Sequence, residues 1–206
     1  MKNIHVATFV FVFLVIPGCA TLSKSECRTA DWRTIGLEDG SKGRLANYIG
    51  NHRKACAEHG VTPDLAQYQL GHAEGLNHFC TAQKGFQQGN SGYGYNGVCP
   101  DGLRSEFLAG YESGRELFLL RKDIGLIQKE VESAALKLKE LVREIASVEA
   151  LLVSSDGTAA QRQAWIRDLK SLQYERGQLE GVAHDLELEV ARKQGEYDVL
   201  SSQYRY

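Results

Sequence analysis

Proline, methionine and tryptophan are scarce in this chain, and its second half has neither cysteine nor proline. Only Pro17, Pro63 and Pro100 occur in 206 residues, and no cysteine follows Cys99. Residues 101–206 therefore hold no proline to break a helix and no thiol to staple one. A cationic surplus is also missing. Lys and Arg total 24 against 26 Asp and Glu, for a net charge of −2. Such a balance does not offset a phosphate backbone, which argues against nucleic acid as a partner. No apolar run reaches the roughly 20 residues of a permanent membrane span. Catalytic signatures are lacking as well: there is no His-Glu-x-x-His, no Gly-x-Ser-x-Gly and no Gly-Lys-Ser/Thr phosphate loop.

What is present begins at the amino end. Met1-Lys2-Asn3 precedes an apolar stretch from Val6 to Val15, which closes on Ile16-Pro17-Gly18-Cys19-Ala20. A charged start, a short apolar core and a small residue before the cut describe a secretory signal over residues 1–18. A cysteine after a small residue, with Ile16 three positions before it, predicts a bacterial lipoprotein. Cys19 is then the lipidated first residue, with a diacylglycerol thioether and an acylated amine. Each buried methylene contributes about 0.8 kcal/mol, so two or more chains hold the protein to a membrane firmly. Ala20 in place of Asp points to the outer membrane, on its periplasmic face. Residues 19–26 read as the linker beyond the anchor.

Four cysteines remain, Cys27, Cys56, Cys80 and Cys99. In an oxidising periplasm they predict two disulfides with three possible connectivities. The sequential pairing, Cys27–Cys56 and Cys80–Cys99, is favoured because each bond closes a compact loop, for about 3 kcal/mol apiece. A zinc site competes poorly, since no Cys-x2-Cys occurs. No metal or cofactor is expected.

The composition changes near Gly114. Residues 27–115 are rich in glycine, aromatics and cysteine; residues 116–206 are dominated by Leu, Glu, Lys, Gln and Arg. In the first segment an aromatic recurs ahead of two glycines four apart: Trp32 before Gly36 and Gly40, Tyr68 before Gly71 and Gly75, Phe107 before Gly110 and Gly114. Glycines four apart share a helical face, and their cost of about 1 kcal/mol each calls for close backbone approach in return. Gly71/Gly75 and Gly110/Gly114 predict packed helices, begun at Pro63-Asp64 and Pro100-Asp101. Asp39-Gly40 and Gly43 fit turns equally well. Residues 85–97 read as a Gly- and amide-rich loop whose aromatics Phe86, Tyr93 and Tyr95 offer a contact surface for protein or glycan.

From Leu117 to Leu152, apolar residues follow a 3-4 spacing without a miss (Leu117, Leu120, Ile124, Ile127, Val131, Ala134, Leu138, Leu141, Ile145, Val148, Leu152). That period of 3.5 is a coiled-coil seam. Ser154-Ser155-Asp156-Gly157 interrupts it, and Thr158 with Gln161 forms a capping box for a second helix. The second seam runs from Trp165 to Tyr204 with only Arg176 and Lys193 as charged members. A short break between matched seams predicts an antiparallel hairpin over 116–206, although a coiled coil between chains shows the same pattern. Folding about Asp156 sets Arg176 near Glu132 and Glu140, and Lys193 between Glu116 and Asp123. Tyr197, Tyr204 and Tyr206 return beside the aromatics of the Gly-rich segment.

Acid–base candidates are His52, His59, His72, His78, Asp31, Asp39 and Glu74. Asp31, just before Trp32, reads better as a helix cap, and His52 as the donor of one structural hydrogen bond. No residue is assigned a catalytic role.

The spacings Cys27-x3-Asp31-Trp32-x3-Gly36-x2-Asp39-Gly40, His52-x3-Cys56, Tyr68-x2-Gly71-x3-Gly75-Leu76-x3-Cys80, Gly85-Phe86-x2-Gly89-x2-Gly92-x2-Tyr95-x2-Val98-Cys99-Pro100 and Phe107-x3-Tyr111 resemble a bacterial envelope family, domain of unknown function 2799. The resemblance implies a secreted or lipid-anchored protein, mostly of Gram-negative bacteria, with four cysteines and no assigned activity. Phe79 stands where the family commonly has Tyr. The hairpin lies outside the resemblance.

These readings converge on a mostly α protein: a small disulfide-bonded, Gly-rich helical domain followed by a long antiparallel coiled-coil hairpin. The expected role is non-catalytic binding or scaffolding in the cell envelope, with a protein partner reached through the coiled coil and oligomers possible. The alternative is a periplasmic hydrolase or glycan-binding module using the 85–97 loop with His52, Asp39 or Glu74.

Overall fold

The computed structural model describes residues 22–154 and 156–204. The signal segment, the lipidation residue Cys19 and Tyr206 fall outside the described residues. Among those described there are helices and loops and no strand. The chain forms two compact units, one ending at Gly75 and the other starting at Leu76.

The first unit opens with a short helix α1 (Lys24–Arg28) and α2 (Trp32–Ser41). Asp31 caps α2, accepting from the backbone N–H of Arg33 at 3.0 Å and from the Thr34 hydroxyl at 2.8 Å. The Thr34 hydroxyl, then the Thr34 N–H, and to a smaller degree the Arg33 N–H hold the Asp31 carboxyl below the usual range. A 3-10 turn (Ala46–Tyr48) leads into α3 (Ile49–Ala57), and Asp64 caps α4 (Leu65–Phe79). The core is Cys27, Trp32, Cys56 and Tyr68. So small a core needs a staple, and the Cys27–Cys56 disulfide supplies one, with Cα atoms 5.5 Å apart.

Helices α2 and α4 touch backbone to backbone. A methyl group placed on Gly36 would strike the Tyr68 carbonyl oxygen, one on Gly71 the Arg33 carbonyl, and one on Gly75 the Leu37 carbonyl. Asp39 and Gly40 lie inside α2, while Gly43, at φ 69°, makes the turn that ends it. Only the second of those two positions is a turn.

In the second unit the pattern repeats. Helix α5 (Ala82–Asn90), capped by Thr81, packs on the start of α6 (Asp101–Val153). A methyl on Gly85 would meet the Phe107 carbonyl, one on Gly89 the Tyr111 carbonyl, one on Gly110 the Ala82 carbonyl and one on Gly114 the Phe86 carbonyl. The expectation of a loop over 85–97 is therefore corrected. Gly85 and Gly89 share a helical face that zips against α6, and only residues 91–97 leave the helix. The Cys80–Cys99 disulfide, with Cα atoms 5.6 Å apart, joins Leu76, Phe79, Phe107 and Tyr111 in the core.

The two zippered pairs match position by position. Gly36, Gly40 and Gly43 correspond to Gly85, Gly89 and Gly92; Tyr68, Gly71, His72 and Gly75 correspond to Phe107, Gly110, Tyr111 and Gly114. Gly43 and Gly92 share the left-handed conformation (φ 69° and 74°), and each N–H donates at 2.9 Å, to Gly40 and Gly89 respectively. His72 bonds the Arg44 carbonyl at 2.7 Å, as the Tyr111 hydroxyl bonds that of Tyr93 at 3.0 Å. This region is a structural duplication whose copies differ mainly in the length of the connection between their helices.

Helix α6 continues through residue 116 without a break and ends at Val153, and α7 (Ala159–Gln203) begins after the Thr158 cap. The predicted capping box is present, with Thr158 N–H donating to Gln161 Oε1 at 2.8 Å and Gln161 N–H to Thr158 Oγ1 at 3.2 Å. Leu117, Leu120, Ile124, Ala134, Leu141 and Ile145 are buried along the α6 seam. The seam positions of α7 are half-buried throughout, because a two-stranded coil leaves both flanks open. Lys137–Glu175 at 3.0 Å, Lys193–Asp123 at 3.4 Å and the Tyr204 hydroxyl on Glu116 at 2.9 Å establish the antiparallel register. The Tyr204 ring returns to within 6.1 Å of Phe86. Arg176 departs from expectation. It lies 3.3 Å from Glu180, one turn along its own helix, rather than against Glu132 or Glu140.

Candidate functional site

A buried polar cluster occupies the first unit. Asp39 faces inward from α2 and is only 2% exposed. Burying a carboxylate is expensive unless donors surround it. Three do so from three other segments. Arg44 reaches Oδ1 at 2.8 Å from the turn after α2; His52 Nε2 lies 2.8 Å from Oδ2 on α3; and the Tyr68 hydroxyl donates to Oδ2 at 2.9 Å from α4. Arg44 also stacks over the Tyr48 ring at 4.1 Å, and that ring meets His52 edge-on. His72, itself buried, stacks on Tyr68. Burial first, and then the hydrogen bond to Asp39, raises the Tyr68 hydroxyl well above the ordinary tyrosine pKa.

The arrangement ties α2, α3, α4 and the turn at residue 44 to one carboxylate. With donors on both oxygens, Asp39 is committed to holding these elements together. Charge-assisted bonds of this kind are about twice as strong as neutral ones.

Of the acid–base candidates, Asp39 and His52 therefore meet. Glu74 does not join them; it pairs with Arg33 at 3.1 Å, with both side chains about half exposed. Asp31 is a cap, His59 is half-buried and His78 is exposed. Tyr95 packs on Phe107 at 4.8 Å, and its hydroxyl accepts the Cys99 N–H at 3.0 Å, so its ring belongs to the core. Tyr93 is 64% exposed. Sequence reasoning missed Arg44 and the Tyr68 hydroxyl. A tyrosine where the second copy has Phe107 was the available signal for a buried acceptor.

Cys27, Cys56, Cys80 and Cys99 are all consumed in disulfides. Among the described residues no group of three or more His, Cys, Asp or Glu side chains is placed to hold a metal ion. Among those residues, too, no helix is long and apolar enough to cross a membrane.

No curated protein and no solved structure matches the chain. A family model does. Residues 31–116, which contain both zippered pairs and the Asp39 cluster, match the family described as "Protein of unknown function (DUF2799)".

Proposed function

We propose that this protein is a lipid-anchored scaffold of the bacterial cell envelope, held to the outer membrane through Cys19 and facing the periplasm. The family domain serves as its base and the hairpin as its binding arm. The observation that carries this reading is the continuity of α6. Its first turns are zipped into the disulfide-bonded second copy, and its remainder forms one strand of the hairpin. At 53 residues and about 1.5 Å per residue, the helix spans roughly 80 Å. Force or position at the tip is thus transmitted to the base without an intervening joint of loop. The outward faces of both helices mix charged and polar residues with exposed apolar ones, among them Leu126, Leu136, Val182 and Leu188, as suits an arm that is solvated and also makes contacts.

Two disulfides agree with an oxidising compartment. The lipid anchor rests on the Gly18-Cys19 context and is tested directly by mass spectrometry of native protein. A diacylglycerol thioether on Cys19 is the expected result, and an unmodified sulfur there refutes the anchor. For the arm, a photo-crosslinker at Asp156, introduced in cells, should capture a discrete envelope protein. A second photo-crosslinker at the exposed Tyr93 should not capture that protein, and deletion of residues 120–200 should leave the first unit folded. Capture from Tyr93 but not from Asp156 places the binding surface elsewhere.

A further inference from the structure

The duplication supplies an internal control for the first unit. In the second copy, residues 93 to 107 suffice to join the zippered helices, and their core is apolar. Phe107 stands in place of Tyr68, and Gln88 in place of Asp39. The zipper itself thus requires neither a buried carboxylate nor a long connection. The first copy nevertheless carries a longer connection, from residue 44 to 68, containing the 3-10 turn and α3. It fixes that connection twice, through the Cys27–Cys56 disulfide and through His52 on Asp39.

What the added segment builds is a cleft of about 400 Å3, and every residue lining it belongs to that segment. Ile49, Pro63 and Leu65 form its apolar wall. Asn47, Thr62 and Arg53 present an amide, a hydroxyl and a guanidinium. Arg53 lies three and four residues beyond Gly50 and Ile49, hence on the same face of α3. Among the described residues no carboxylate pairs with Arg53; of the two acids in the segment, Glu58 does not line the cleft and Asp64 accepts the Gln67 N–H at 3.0 Å as the cap of α4. Gly50 leaves the helix backbone open to the cleft: a Cβ there would meet nothing within 4 Å. That contrasts with Gly36, Gly71 and Gly75, where a methyl would strike backbone.

We infer that this cleft binds a carboxylate carried on a short aliphatic group, as presented by the end of a peptide chain or by a free short-chain acid. Arg53, with its planar fork of donors, takes the carboxylate. Thr62 and Asn47 complete its hydrogen bonding, and Ile49, Pro63 and Leu65 cover the aliphatic part. The segment is held from behind by Asp39 and Cys56, so the site is formed before the ligand arrives. This assignment does not depend on the role of the hairpin.

Titration calorimetry on the full chain in detergent micelles tests it, using N-acetyl-leucine and hexanoate as probes with their uncharged amides as controls. At least one carboxylate should bind saturably, with its amide about tenfold weaker or worse. Arg53→Gln should weaken the carboxylate by about tenfold, the usual loss for one charge-assisted contact. Gly50→Leu should fill the cleft and abolish binding. Both variants should melt like the parent, since Arg53 is exposed and Gly50 has open space. If Gly50→Leu melts lower, Gly50→Val takes its place. Preference for N-acetyl-leucine assigns a peptide end, and preference for hexanoate a free acid. Failure of both probes to saturate at millimolar concentration overturns the proposal, as does binding that survives both variants.

Discussion

The Tyr68 hydroxyl donates to Asp39 at 2.9 Å in the interior of the first unit, where the tyrosine is fully buried and the aspartate nearly so. The equivalent ring in the second copy is Phe107, equally buried and without a hydroxyl. Ring shape is thus set by the zipper, and the hydroxyl by the carboxylate opposite. Tyr68→Phe should keep the packing and remove one of three donors, costing about 1–2 kcal/mol. Asp39→Leu strands Arg44, His52 and the Tyr68 hydroxyl at once and should cost about 3–5 kcal/mol. Denaturant melts read by hydrogen exchange in residues 32–75 separate the two. Equal losses would mean that the carboxylate is not the hub.

The same pair gives an alkaline signature. Tyr68 has its hydroxyl pKa raised by burial and by Asp39, so the folded state holds a proton that the unfolded chain releases above pH of about 10. Stability from this group is complete below that pH and is lost progressively as pH rises beyond it. Tyr68→Phe should flatten the fall in stability above pH 10 relative to the parent. A parallel decline in both proteins would show that other groups cause it.

Glycines divide into two classes with opposite expected signs. At Gly36 and Gly85 a methyl would press into a carbonyl of the facing helix, so Gly36→Ala and Gly85→Ala should force the pair apart, at a cost of several kcal/mol. At Gly125, Gly177 and Gly181 the space is open, and alanine should stabilise by about 0.5–1 kcal/mol each through helix propensity alone. Thermal melts of the five single variants decide this, and a destabilising Gly177→Ala would reveal an unrecognised contact on α7.

Much of this architecture was legible because it depends on periodicity. The 3-4 spacing from Leu117 to Leu152 maps onto the buried and half-buried positions of α6, and Thr158–Gln161 caps α7 as its spacing predicts. Gly71/Gly75 and Gly110/Gly114 likewise declared a shared face. Helix α5 was not legible, since Lys84-Gly85-Phe86-Gln87-Gln88-Gly89 has the composition of a loop. Only the facing carbonyls of Phe107 and Tyr111 explain glycine there. The Asp39 cluster was half visible: a lone buried acid gives no local pattern, because its donors come from residues 44, 52 and 68. Arg176 was misplaced because a long side chain can reach along its own helix as readily as across the seam. Glu180, one turn away, won over Glu132 and Glu140.

Arg176 sits at a seam position, but its ion pair with Glu180 at 3.3 Å runs along its own helix rather than across the hairpin. A charged group thus holds a seam position that an apolar side chain would pack better. Arg176→Leu should therefore raise the stability of the hairpin by about 1 kcal/mol, while Arg176→Glu should lower it by setting a second acid beside Glu180. Hydrogen exchange across residues 130–182 reads both changes, and equal behaviour of the two variants would remove Arg176 from the seam.

Register is tested most directly by Lys193, whose side chain is 19% exposed and reaches Asp123 across the hairpin at 3.4 Å. The two residues lie far apart in sequence, so their meeting depends wholly on the antiparallel fold of α7 on α6. Lys193→Glu brings a second negative charge to the seam beside Asp123. A loss of about 1–2 kcal/mol is expected, more than for an exposed pair because the lysine stem is mostly covered. Adding Asp123→Lys should restore most of it, since the pair is then reversed in the same place. A double-mutant cycle isolates that coupling from the separate effects of each change. A coupling indistinguishable from zero, with either single variant destabilising, would mean that α7 meets α6 in another register or meets a second chain instead.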